Sequence, residues 1–247
     1  AAAREPLVAA WWRNTLRTLS EFPHLERIAE PDRTATNGAA HAEAAAATGR
    51  PIVIVSIHLA SWEGSFRMLL NRRVGGRDWV GLYTPQPDRM QNRILYRLRR
   101  RANAYAFPPS RAALRRIRAL LDGGTCNLCL LVDAPIDDEV HFPLFGRRLA
   151  ERSGLRVAIA LARRSGAIVL PGYYLREGPA RFSANWLPPL DPAAYPDDEA
   201  GTQAIARALS AAFEPVVVAN LEHWFMLDRL KFRGLPEGVP PRTEPEA

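Results

Sequence analysis

Long apolar runs are missing from this 247-residue chain. No stretch of about 18 or more apolar residues occurs, so no segment reads as a membrane-spanning helix. No cleavable leader pattern opens it either. Lysine is nearly absent: of 33 basic residues only Lys231 is a lysine. Cysteine is limited to Cys126 and Cys129, a single C-x-x-C without a second pair. They lie in a run from Thr125 to Val132 that reads as a buried strand. Positions three apart on a strand point to opposite faces, which opposes joint metal ligation. A redox C-x-x-C opens a helix after a strand, which this one does not. Core packing in a reducing compartment is therefore the reading. His24, His41, His141 and His223 are scattered without metal spacing. The G-x-S-x-G elbow and the glycine loops of nucleotide-binding folds are also missing.

What is present is an ordinary globular composition, 47% hydrophobic and 24% charged, with a net charge of +7. Such a chain buries a full core in one α/β domain. The positive excess suits a nucleic acid, an anionic membrane or a phosphorylated substrate. Codon bias explains the choice of Arg over Lys equally well, but not the excess itself. Nucleic acid is disfavoured because no recognised motif is present and aromatics do not interleave with the arginines.

Residues 7–22 read as an amphipathic helix carrying Trp11 and Trp12 with Arg13 and Arg17. Paired Trp and Arg suit a membrane interface, and docking on the chain's own domain suits the pattern equally. A loop through Pro31-Asp32-Arg33 follows, then an Ala-rich helix over 39–47. Strands are expected at 51–57, 79–83, 125–132, 167–171 and 180–187. Helices are expected from Ser61 with that serine as N-cap, over 88–102, from a Ser110 cap to Gly123, over 154–165 and over 198–219. The 88–102 helix is expected to bury Met90, Ile94, Leu95 and Leu98. Alternating strands and helices predict an α/β fold, a single domain with a mainly parallel central sheet flanked by helices. The division is 1–30 as an N-terminal amphipathic helix with possible membrane contact, 31–234 as the α/β domain, and 235–247 as a loose tail.

Sites in open α/β sheets lie beyond the carboxyl ends of the strands, where His58 and Asp133 fall. Glu63 follows His58 by five positions. On one continuous helix that is about 140° apart, but across a strand-to-helix junction the two side chains can meet. A carboxylate on one imidazole nitrogen would fix the tautomer and leave the other as a general base. A satisfied histidine at a strand end is the competing reading. Arg97, Arg99, Arg100 and Arg101 form a basic cluster that suits either a solvated helix face or an acidic ligand.

His58-Leu59-Ala60-Ser61-Trp62-Glu63 resembles the H-x4-D/E motif of the bacterial lipid A biosynthesis acyltransferases of the HtrB/MsbB type. Phe142-Pro143-Leu144-Phe145-Gly146 is similar to that family's V-P-F-F-G. Asp133, the 97–103 basic block, the 160–171 stretch and Trp224 through Arg233 match in order over roughly residues 50–234. Ser61 stands for the usual Asn, and Ala134-Pro135 follows Asp133 where Gln, His or Arg is usual. These departures bear on the acceptor more than on the chemistry.

The resemblance implies a glycerolipid-acyltransferase-like fold. It implies transfer of a fatty acyl group from an acyl carrier protein or coenzyme A thioester to a hydroxyl of a lipid or glycolipid, without metal or bound cofactor. In that scheme His58 is the base and Glu63 its partner. Arg99 or Arg101 binds phosphate, and Asp133 lines the pocket or orients an arginine. The implied location is the cytoplasmic face of the bacterial inner membrane, peripherally bound. A thioesterase and a non-catalytic lipid or anion binder on the same scaffold are the alternatives.

Overall fold

In a computed structural model the described residues are 4–70, 74–99 and 103–231. The chain begins with helices α1 (Arg4–Ser20) and α2 (Leu25–Ile28), strand β1 (Thr34–Asn37) and helix α3 (Ala39–Ala47). Strand β2 (Ile52–Ser56), helix α4 (Trp62–Leu70), strand β3 (Asp78–Leu82) and helix α5 (Arg89–Arg99) follow. Next come β4 (Ala104–Phe107), α6 (Arg111–Asp122), β5 (Cys126–Leu131) and α7 (Gly154–Ser165). The hairpin β6 (Ile168–Gly178) and β7 (Arg181–Trp186) precedes the long α8 (Glu199–Ala219).

One seven-stranded sheet runs in the order β1-β7-β6-β2-β5-β3-β4. Every pairing is parallel except β6 with β7. Crossover helices cover both faces, as parallel sheets require. That is why β2 is a continuous apolar run. Val53, Val55 and Ile57 pack with Ile117, Leu155 and Leu209 of α6, α7 and α8. Ile52 and Ile54 pack on the other face with Ile28, Ala45, Met68 and Leu69 of α2, α3 and α4. Cys126 and Cys129 fall in opposite cores, as their odd spacing dictates, and both are free thiols.

Local chemistry sets several boundaries. Ser110 Oγ accepts from Ala113 N–H and opens α6, and Ser153 does the same for α7. Gly166 closes α7 at φ +63, a conformation that costs glycine little. The Ser61 cap is not formed: its hydroxyl is buried and has no hydrogen-bond partner among the described residues. The expected burial of α5 is also corrected. Met90 is 72% exposed and Ile94 51%, because the helix turns Asn92, Leu95 and Arg99 inward instead. Leu98's side chain, Arg101 and residues 232–247 lie outside the description. Strands β1 and β4 were not expected. Both are four-residue sheet edges: β1 is mostly polar, and β4, though apolar, is short and half exposed, so neither carries the signal of a buried strand. No helix among the described residues is long and apolar enough to cross a membrane.

Candidate active site

Strand register creates the site. β2 and β5 are parallel neighbours with Ser56 opposite Leu131, so the residues two beyond each, His58 and Asp133, emerge side by side. His58 Nδ1 lies 2.7 Å from Asp133 Oδ1. The same carboxylate accepts the His58 backbone N–H, at 3.1 and 2.9 Å to its two oxygens. Trp224 Nε1–H donates to Oδ2 at 2.9 Å. Asp133 is fully buried, and these donors replace the water that a buried carboxylate has lost. With Nδ1 held by Asp133, the ring exposes Nε2, which has no partner among the described residues.

The carboxylate expected on His58 is thus supplied by Asp133 rather than by Glu63. Glu63 sits in the first turn of α4, 5% exposed, with its carboxylate on Arg99. Arg99 Nε donates to Oε1 at 3.0 Å and to Oε2 at 3.2 Å, and Nη2 also contacts Oε1. Arg67, one helical turn beyond Glu63, is buried. Burial lowers the pKa of its guanidinium, and the Glu63 charge opposes that shift. Glu63 therefore lies between two cations instead of on the imidazole. Asp133 in turn contacts the histidine and, among the described residues, no arginine. The sequence signal for this exchange existed, since Asp133 ends the strand after a βα unit, but the strand order needed to see it did not.

The turn joining His58 to α4 is strained and strapped. Ala60 adopts φ +46, which costs a non-glycine residue about 1–2 kcal/mol. Its N–H donates to His223 O at 3.0 Å, and its carbonyl accepts from Thr18 Oγ1 at 3.2 Å. Leu59 bridges to Trp224, and Phe225 N–H donates to His58 O at 2.9 Å. Trp62 packs edge-on to His58 and against Phe225. Sequence reasoning missed this strap. The signals were the family-like stretch that opens at Trp224 and the aromatic pair Trp224-Phe225, neither of which says what the segment packs against.

A cavity of about 810 Å³ opens over these residues. Its walls include His58, Glu63, Arg99 and Phe225, and its apolar floor includes Ile54, Phe66, Gly81, Cys129 and Gly172. Gly81 lines the cavity without a side chain, between Cys129 and the Phe66 ring, and the Trp186 ring packs directly on Gly172. Burial pushes the Cys129 thiol up to about 12, so it lines the floor as a neutral group. Among the described residues no cluster of three or more His, Cys, Asp or Glu side chains is arranged to hold a metal ion.

Chemically the arrangement offers an oriented base at the mouth of an apolar cavity, with a carboxylate–guanidinium pair on its rim. Among solved structures, the chain is similar to the 1-acyl-sn-glycerophosphate (LPA) acyltransferase PlsC from Thermotoga maritima. The two share 13% identity over 79% of each chain, with a TM-score of 0.47. No curated protein matches the chain. A family model described as bacterial lipid A biosynthesis acyltransferase matches residues 1–233, nearly the whole chain. The chain therefore belongs to the bacterial lipid A biosynthesis acyltransferase family and is an acyltransferase of lipid biosynthesis.

Proposed function

We infer that this acyltransferase moves a fatty acyl group from a thioester, carried by an acyl carrier protein or coenzyme A, to a hydroxyl of a lipid or glycolipid. The observation that carries the reading is the His58 Nδ1–Asp133 contact at the mouth of an apolar cavity. Asp133 fixes the tautomer that donates from Nδ1, and His58 Nε2 takes the proton of the attacking hydroxyl. The attack on the thioester carbonyl gives a tetrahedral oxyanion, which N–H groups at the start of α4 stabilise, since the first N–H groups of a helix have no acceptor within it. Collapse expels the thiolate, which recovers the proton from the imidazolium. The acyl chain occupies the floor between Phe66, Gly81 and Cys129, and Arg99, braced by Glu63, meets a phosphate or carboxylate of donor or acceptor. No resident cofactor enters this scheme.

The protein works at the cytoplasmic face of the inner membrane as a peripheral enzyme. Support comes from the outer face of α1, where Val8, Trp12, Leu16 and Leu19 form one exposed apolar stripe beside Arg13 and Arg17. The acceptor is of the lipid A type or a related glycolipid.

A direct test incubates the protein with a long-chain acyl thioester and a bacterial lipid extract and identifies products by mass spectrometry. Acylated lipid formed by the wild type and abolished in His58→Ala supports the reading. Free fatty acid as the sole product would assign a thioesterase instead, and wild-type turnover by His58→Ala would remove the base.

A further inference from the structure

We propose that Trp224 is a positioning residue for acyl transfer. Its indole N–H locks the Asp133 carboxylate in the one rotamer that receives the His58 ring, and Trp11 on α1 locks Trp224 in turn. The proposal rests on the reading of His58 as the base.

Asp133 has no exposed surface, so water cannot correct its orientation. The His58 backbone N–H reaches both of its oxygens, at 3.1 and 2.9 Å, and does not choose between rotations of the group. The Trp224 N–H reaches Oδ2 alone, at 2.9 Å, which leaves Oδ1 to the imidazole at 2.7 Å. Without that donor, Oδ2 would be a buried acceptor short of one partner, and rotation toward the ring nitrogen would compete with the observed geometry.

Trp224 is itself held on every side. Its side chain is fully buried, its backbone bridges Leu59, and its two neighbours in sequence hydrogen-bond to the His58 turn. Its carbonyl accepts the Trp11 Nε1–H at 2.9 Å, across 213 residues. Asn14 Nδ2 donates to Glu222 O at 3.0 Å, and Thr18 Oγ1 to Ala60 O. Trp11, Asn14 and Thr18 are spaced as one face of α1. That whole face is therefore spent on the catalytic turn and its strap. The N-terminal helix is part of the site's support, and a continuous path of hydrogen bonds runs from Trp11 through Trp224 and Asp133 to His58.

The test separates positioning from folding. Trp224→Phe keeps most of the ring and deletes the N–H. The expected result is a fall in kcat of about 10-fold or more with the KM for the thioester unchanged. With ¹⁵N-labelled histidine, the wild-type His58 signal, assigned by its loss in His58→Gln, reports the Nδ1–H tautomer. In Trp224→Phe it shifts toward the Nε2–H form. Trp11→Phe gives the same changes at smaller size. If Trp224→Phe does not fold, benzothienylalanine inserted at position 224 keeps the shape of the indole without the donor and gives the same readouts. A folded variant with unchanged tautomer and unchanged kcat overturns the proposal. The tautomer measurement needs no substrate, so it stands or falls separately from acyl transfer.

Discussion

His58 and Asp133 lie 75 residues apart in the chain and 2.7 Å apart in space, because β2 and β5 are in-register parallel neighbours. A short motif does not build this pair. The sheet does.

The first prediction sets Asp133 against Glu63. Asp133→Asn presents an amide to His58 Nδ1 and removes the acceptor that fixes the tautomer. Turnover falls by about 10²–10⁴-fold at little cost in fold. Glu63→Gln leaves His58 and Asp133 in place but removes the negative charge between Arg99 and Arg67. It costs about 1.5–3 kcal/mol of stability and weakens substrate binding more than turnover. Kinetics and urea denaturation of the two variants together check the assignment. Equal losses of kcat in both would return Glu63 to the imidazole.

Arg99 gives the second. Its guanidinium reaches both Glu63 oxygens, a geometry that an ammonium cannot reproduce. Arg99 is also the inward-facing charge of α5, whose Met90 and Ile94 face solvent. Arg99→Lys raises KM several-fold and increases hydrogen exchange over residues 89–97. Unchanged exchange would mean that the pair does not hold the helix.

How legible was this in the sequence? The β2 run, the Ser110 cap, the Gly166 stop and the spacing of the long helices are local signals, and local signals were enough for the fold class. His58 stood out because a polar residue ending a buried strand is unusual. Its partner was not legible, because nearness along the chain favoured Glu63 while strand order favoured Asp133. The same blindness hid β1, β4 and the Trp224 strap, all defined by partners far away in sequence. Met90 and Ile94 misled in the other direction. Their helical spacing was real, but the buried side of α5 is set by Arg99 reaching Glu63.

Gly81 supplies a prediction about chain length. A Cβ there would sit 3.2 Å from Cys129 O and 4.0 Å from the Phe66 ring, inside the cavity floor. Gly81→Val fills that space and moves donor preference to shorter acyl thioesters. Competition between donors of different length reads the shift, and an unchanged preference would place the acyl chain elsewhere.

Cys129 tests the dryness of the same floor. Burial holds the thiol neutral up to about pH 12, so the reactive thiolate is nearly absent at pH 8. Iodoacetamide should leave Cys129 unmodified in the folded protein at pH 8 and label it once urea unfolds the chain. Rapid labelling of native protein, mapped by mass spectrometry, would show that water enters the floor freely.

The last prediction concerns the outer face of α1. Leu16 is 62% exposed and Leu19 45%, on the side of the helix away from Trp11, Asn14 and Thr18, and Trp12, 54% exposed, packs edge-on against Trp11. Exposed aromatic and aliphatic groups beside Arg13 and Arg17 gain energy only when apolar surface covers them, and the cations favour an anionic one. Leu16→Glu with Leu19→Glu, which keeps the Trp12 ring packed against Trp11, should leave the melting temperature and the His58 tautomer as they are. It should lower flotation with phosphatidylglycerol vesicles while binding to phosphatidylcholine vesicles stays weak in both proteins. Undiminished flotation would move the membrane contact away from α1. A loss of tautomer would mean that the two faces of the helix are not independent.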